Sequence, residues 1–151
     1  MTRVLMICMG NICRSPIAAT VARVELARAG IAAEVDSAGT EDYHVGEPAD
    51  RRAIEVAEAH GYPLAAHRAR QVDSADFETF DHLFAMDRVN LRALRRFRPA
   101  RPGIEPALLL GDAEVPDPYY GTMRDFERVV ALAREGVAAL IARLRAPRRQ
   151  A

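Results

Sequence analysis

The opening of the chain constrains its fold more than any other feature. Val4-Leu5-Met6-Ile7 is a short apolar run suited to a strand buried on both faces, and Ser15-Pro16 then opens a helix through Ile17, Val21, Val24 and Leu26. Between them lies a tight loop that begins at Cys8 and ends in Arg14. The alternation continues downstream. Gly30 stops the first helix, Glu34 to Ala38 reads as a second strand, and Gly39 to Pro48 is a polar loop carrying Tyr43. Helical spacing returns from Ala49 to His60, with Gly61 as its stop. Asp76 to Phe80 reads as a turn or short helix before a strand at His82 to Ala85. A third main helix is predicted from Asp87 to Phe97, a Pro-rich loop from Pro99 to Pro106, a last strand from Ala107 to Leu110 and a loop from Gly111 to Gly121. An amphipathic helix from Asp125 to Leu144 closes the pattern, and residues 145–151 read as a frayed basic tail. Such alternation implies an α/β fold, an open parallel sheet with helices on both faces and a ligand crevice at the carboxyl ends of the strands.

Length and composition fit one domain spanning residues 1–151, since no internal repeat or linker divides the chain. The 21 acidic side chains balance 21 basic ones, so a general nucleic-acid binder is not expected and any affinity for phosphate must be local. All the basic residues are arginine, a bias from which no function follows. The N-terminal apolar stretch is too short for a signal-peptide core, and no run approaches membrane-spanning length. Cys8 and Cys13, the two cysteines, are too close in sequence to frame a secreted disulfide domain, which suggests a reducing cytoplasm.

Cys8 and Arg14 are separated by five residues, a spacing that carries weight only through its context. That context is a loop leaving a buried strand and entering a helix. Its backbone N–H groups can converge on an anion where the helix dipole adds positive charge, which makes Met9, Gly10, Asn11, Ile12, Cys13 and Ser15 candidate phosphate-binding residues. Gly10 and Asn11 tolerate the left-handed backbone that curling needs. Arg14 offers a planar fork for two phosphate oxygens, and the same positive surroundings favour Cys8 as the attacking thiolate. The nucleotide-binding Gly-Lys-Ser/Thr ending is absent, as is the dinucleotide fingerprint. His44, His60 and His82 show no spacing that suggests a metal site. Cys13 is either a core residue or, across a tightly curled loop, within disulfide reach of Cys8.

In Val4 to Ile17 and in Asp117-Pro118-Tyr119-Tyr120-Gly121 the sequence resembles the low molecular weight protein tyrosine phosphatases. Further likeness lies in Asp36-Ser37-Ala38-Gly39, Gly46-Glu47-Pro48, His67-Arg68-Ala69-Arg70-Gln71 and Met86-Asp87, so it covers nearly the whole chain. The resemblance implies a flavodoxin-like sheet of four parallel strands, no metal or other cofactor, and a cysteinyl-phosphate intermediate. It implies Cys8 as nucleophile, Arg14 as phosphate clamp, Asp117 as general acid and base, and Ser15 as the hydroxyl that steadies the sulfur. Asn11 would hold the loop through Ser37 and His67, for which a strand-end turn and a plain surface histidine are equal alternatives. Tyr43, Tyr119 and Tyr120 would wall the entrance.

Asp112 and Glu114 compete with Asp117, which is favoured because Pro118 holds its backbone extended and because the two tyrosines would shield its carboxyl. The implied partner is a tyrosine-phosphorylated protein, with a tyrosine kinase as a further one, acted on by a cytoplasmic monomer away from membranes. Two other readings use the same loop. An arsenate reductase of this fold would need cysteines beyond Cys13, which the chain lacks, and a phosphate-binding module would have no use for a thiol or for Asp117.

Overall fold

The computed structural model describes residues 1–101 and 103–146. Four strands form one parallel sheet in the order β2-β1-β3-β4: β1 Thr2–Cys8, β2 Ala33–Gly39, β3 His82–Ala85 and β4 Ala107–Leu108. Because β1 is flanked on both edges, its side chains alternate between two buried faces. Val4, Met6 and Cys8 join one core cluster with Ile17, Val21 and Leu26 of α1 (Arg14–Arg28). Phe126, Val130 and Val137 of the last helix belong to the same cluster. Leu5 and Ile7 point the other way, toward Val72, Phe77 and Leu94. The four-stranded flavodoxin-like arrangement with helices on both faces is therefore present.

Helix α1 is buried along most of its length, and Ala18, Ala19 and Ala22 let it lie close to both the sheet and the last helix. It ends where Gly30, at φ 75°, turns the chain left-handed, with Ile31 N–H closing back to Leu26 O at 2.9 Å. On the same face as α1, α2 (Arg51–Ala59) is capped by the Asp50 carboxylate, which accepts from Arg52 N at 2.8 Å. The predicted turn or short helix before β3 is a single turn of helix, α3 (Asp76–Thr79).

Four expectations need correction. The predicted helix from Asp87 to Phe97 is two pieces, α4 (Arg88–Ala93) and a 3₁₀ turn over Leu94–Phe97. The last turn tightens to 3₁₀, as helix C-termini commonly do, and Pro99 ends it by disfavouring helical backbone at Arg98, which is extended at φ −65°, ψ 125°. The last strand stops at Leu108 instead of Leu110, because Leu109 and Leu110 enter a turn closed by Gly111 N–H on Leu108 O at 3.0 Å. The final helix, α5 (Met123–Arg145), starts earlier than expected, since the Asp125 carboxylate accepts from Thr122 N–H at 2.7 Å and holds the chain at its entry. It also includes Arg145, whose guanidinium donates to Ala29 O at 2.8 Å, so this residue is not frayed; residues 147–151 of the expected tail lie outside the described residues.

Phe126 is fully buried where α5 meets α1 and α2, with the Arg52 guanidinium 4.6 Å above its ring. Phe126→Ala is expected to cost about 3–5 kcal/mol, read as a lower urea midpoint with an unchanged slope. A loss below about 1 kcal/mol would mean that this face of α5 contributes little to the core.

Candidate active site

The loop between β1 and α1 is shaped by Asn11. Its backbone has φ 59°, unfavourable for a side-chain-bearing residue, and the side chain is fully buried. Four hydrogen bonds hold it there. Asn11 Nδ2 donates to Ser15 Oγ at 2.8 Å and to Ser37 Oγ at 2.9 Å. Its Oδ1 accepts from Arg70 N–H at 3.0 Å, and its carbonyl accepts from His67 Nε2 at 2.8 Å. The Arg70 N–H contact fixes which end of the amide is oxygen. On the other side, Thr40 N–H and Glu41 N–H close on Cys8 O and Met9 O at 2.9 and 3.0 Å. Gly39 permits that approach, because a Cβ there would lie 2.6 Å from Met9 O.

Cys8 ends β1 with 3% of its surface exposed, its Sγ 2.9 Å from Ser15 Oγ. Ser15 Oγ already accepts from Asn11, and its own hydrogen has Cys8 Sγ nearby and Ala38 O farther off at 3.5 Å. That geometry suits a hydroxyl donating to a thiolate. Cys13 is also a buried free thiol in the same cavity. Burial pushes the Cys13 thiol far up, helped by Asp50, Cys8 and Asp117, so it stays protonated.

Arg14 is as buried as Cys8, which is costly for a charge unless it is paired. Its Nη1 donates to Asp87 Oδ2 at 2.6 Å and to Val115 O at 3.0 Å, while Nη2 lies 3.8 Å from Asp117 Oδ2. Burial alone would lower the guanidinium, but the neighbouring Cys8 sulfur and the Asp87 and Asp117 carboxyl groups outweigh it and raise it, so Arg14 remains charged. Asp87 Oδ1 meanwhile caps α4 by accepting from Asn90 N–H at 2.7 Å. One carboxylate thus fixes both the helix after β3 and the arginine after β1.

These groups open onto a cavity of about 270 Å³. Cys8, Cys13 and Arg14 form its buried end, and Tyr43, His44, Tyr119 and Tyr120 line it nearer solvent. Asp117 lines it too, with Oδ1 accepting from Tyr119 N–H at 3.1 Å across the Pro118 turn. Asp112 and Glu114 do not line it; the Glu114 carboxylate accepts from Arg88 N–H at 2.8 Å. The expected shielding of Asp117 is not found. Its side chain is 49% exposed and Tyr120 is 96% exposed, because Tyr120 packs edge-on against Tyr119, centroids 4.9 Å apart, and not over the carboxyl. Tyr119 itself is held by Arg52, which donates to its carbonyl at 2.9 Å and lies 5.8 Å from its ring.

The structure therefore brings together every residue that the sequence proposed for the loop, its support and its walls. Reasoning from sequence missed Asp87 and Val115 as partners of Arg14, His44 as a lining residue and Arg52 as the brace of Tyr119. Asp87 was legible as a helix start, but not its reach back to Arg14. The signal for His44 was its place beside Tyr43. Among the described residues, no group of three or more His, Cys, Asp or Glu side chains could hold a metal ion, and no helix is long and apolar enough to cross a membrane.

A family model described as low molecular weight phosphotyrosine protein phosphatase matches residues 3–150. The chain belongs to that family. It is 43% identical over 154 residues to a low molecular weight protein-tyrosine-phosphatase of Streptomyces coelicolor, covering 95% of this chain and 93% of that one. A solved protein tyrosine phosphatase of Entamoeba histolytica matches with a TM-score of 0.89 and 35% identity, over 95% of this chain and 97% of the other. Wzb of Vibrio vulnificus, solved in complex with benzylphosphonate, matches with a TM-score of 0.84 and 29% identity, over 94% and 98%. The chain is thus a protein tyrosine phosphatase, a hydrolase, on the fold of its family.

The half-buried His67 supplies a test of the loop's support. Burial lowers His67 below its ordinary value of 6.5, and Arg23 and Arg68 add to this against the opposing Asn11 carbonyl and Asp36. The folded protein therefore keeps His67 neutral while the unfolded chain takes up a proton, so stability falls as pH drops below about 6.5. Urea unfolding between pH 7 and about pH 5 should show a steeper loss for the native protein than for His67→Gln, whose amide can still donate to Asn11 O. Parallel pH profiles for the two would show that His67 is not held neutral by the fold. Burial likewise lowers His82, which is present in both proteins and cancels in the comparison.

Proposed function

We propose that the chain hydrolyses phosphotyrosine in protein substrates, and aryl phosphates generally, through a cysteinyl-phosphate on Cys8. The observation that carries this reading is that Cys8, Arg14 and Asp117 line one small cavity, with the Ser15 hydroxyl 2.9 Å from the sulfur. The Cys8 thiolate attacks phosphorus, the phosphorus–oxygen bond to the phenol breaks, and Asp117 as a carboxylic acid gives its proton to the departing oxygen. Asp117, now a carboxylate, takes a proton from water as that water attacks phosphorus, and inorganic phosphate leaves with the thiolate restored. Ser15 donates to the sulfur in both steps. Arg14 and the loop N–H groups of Met9 to Ser15 hold the phosphate oxygens throughout, in a water-poor site where such donors act strongly. Tyr43, Tyr119 and Tyr120 offer ring surfaces to a flat phenol. The benzylphosphonate bound by the Wzb relative supports an aryl ligand for this cavity.

Residues 1–151 act in this reading as one phosphatase domain, supported by the family match over residues 3–150. We read it as a cytoplasmic monomer that opposes a tyrosine kinase, with the two free thiols in support.

The acid role can be isolated by changing the leaving group. An acid matters most when the leaving group is poor, so Asp117→Asn should lower kcat/KM for phenyl phosphate by about a hundredfold or more. Nitrophenyl phosphate, whose phenolate leaves readily, should lose markedly less. Equal losses for both esters, or the same pattern in Asp112→Asn, would move the role off Asp117.

A further inference from the structure

The phosphate site leaves one strongly charged surface unused. Residues 88 to 104 hold six arginines and no carboxylate, in a chain whose 21 basic and 21 acidic residues balance overall. Arg88, Arg92 and Arg95 recur at spacings of four and three, so they lie in one stripe along α4 and its 3₁₀ extension. Together with Arg98 they line a groove of about 320 Å³ whose apolar lining comes from Phe77, Leu91, Leu94 and Pro106. Two of these guanidiniums are engaged. Arg88 donates to Asp112 O at 2.9 Å and lies 3.8 Å from Glu114, and Arg98 pairs with Glu105. Arg92 and Arg95 are exposed, and among the described residues neither pairs with a carboxylate.

The groove is tied to the cavity through the backbone. Arg88 directly follows Asp87, the carboxylate that holds Arg14. Arg96, on the same 3₁₀ turn, donates to Thr40 O and pairs with Glu41, whose backbone N–H groups close on the loop at Cys8 and Met9. Segments leaving the carboxyl ends of β2 and β3 therefore reach both the cavity and the arginine-bearing helix.

We propose that this groove is a docking site for an acidic segment of the phosphoprotein substrate, its carboxylates on Arg92 and Arg95 and an apolar side chain against Leu91. The proposal rests on the phosphatase reading and adds to it a preference for substrates with acidic residues near the phosphotyrosine. Surface electrostatics of this kind act on encounter and KM more than on chemistry. The groove suits a peptide better than a nucleic acid. Its volume admits a few side chains and its lining is partly apolar.

The test compares native protein with Arg92→Gln/Arg95→Gln. Three substrates are used: nitrophenyl phosphate, a phosphotyrosine peptide flanked by glutamate and leucine, and the same peptide with glutamine for glutamate. Native protein should favour the acidic peptide by about tenfold in kcat/KM, chiefly through KM, and the double variant should lose that preference. Nitrophenyl phosphate turnover should be the same in both. Equal use of the two peptides by native protein, or a preference that survives in the variant, overturns the docking site. Absence of nitrophenyl phosphate turnover would instead overturn the phosphatase reading. A binding measurement separates the two ideas. A fluorescent glutamate- and leucine-containing peptide without phosphotyrosine should bind native protein, with affinity falling as salt rises, and bind the variant about tenfold more weakly. Unchanged affinity in the variant, or tighter capture of a single-stranded RNA oligomer or of phosphatidylserine vesicles than of the peptide, contradicts an acidic-peptide site.

Discussion

The left-handed backbone of Asn11 is the constraint on which the site depends. A loop that turns directly from the end of β1 into α1 does not keep every residue in the common regions of backbone space, and Asn11 takes φ 59°. Such a conformation persists only where its surroundings over-determine it. Here the second strand supplies Ser37, the segment after α2 supplies His67 and Arg70, and the following helix supplies Ser15. Three separate parts of the chain thus agree on the shape of a single loop. Because Ser15 also faces Cys8, the same network that curves the loop presents a hydroxyl to the sulfur.

Charge is arranged with similar economy. The chain as a whole is neutral, yet Arg14 remains charged while buried because Asp87, Asp117 and the Val115 carbonyl surround it. Sheet order explains how these groups meet. Strands β1 and β3 are neighbours although β2 lies between them in sequence, and a ligand crevice forms outside the carboxyl ends of strands at such a reversal. Cys8 and Asp87 sit at those ends. The segment after β4 then brings Val115 and Asp117 across the same opening.

Much of this was legible in the sequence, for identifiable reasons. The apolar run at Val4 to Ile7 and the Ser15-Pro16 start bracket the loop, and both signals are local. The two buried faces of β1 follow from that continuous run, and His82 to Ala85 reads the same way. Contacts that cross the chain were not legible. Nothing near Arg14 points to Asp87, and nothing near Tyr119 points to Arg52. The helix from Asp87 reads as one piece because its apolar spacing continues to Phe97, and spacing alone does not distinguish α-helix from the 3₁₀ turn over Leu94–Phe97. Tyr119 and Tyr120 follow Asp117 closely in sequence, but their edge-on contact directs Tyr120 to solvent and leaves the carboxyl half-open.

The account stands or falls on a covalent bond between the Cys8 sulfur and phosphorus. The most direct measurement is rapid acid quenching during turnover of a phosphotyrosine peptide, followed by mass analysis of the peptide that contains Cys8. The account predicts a phosphate on that cysteine, formed within the first turnover and absent in Cys8→Ser. Steady turnover with no trapped phosphoenzyme, or phosphate on any other residue, would contradict it.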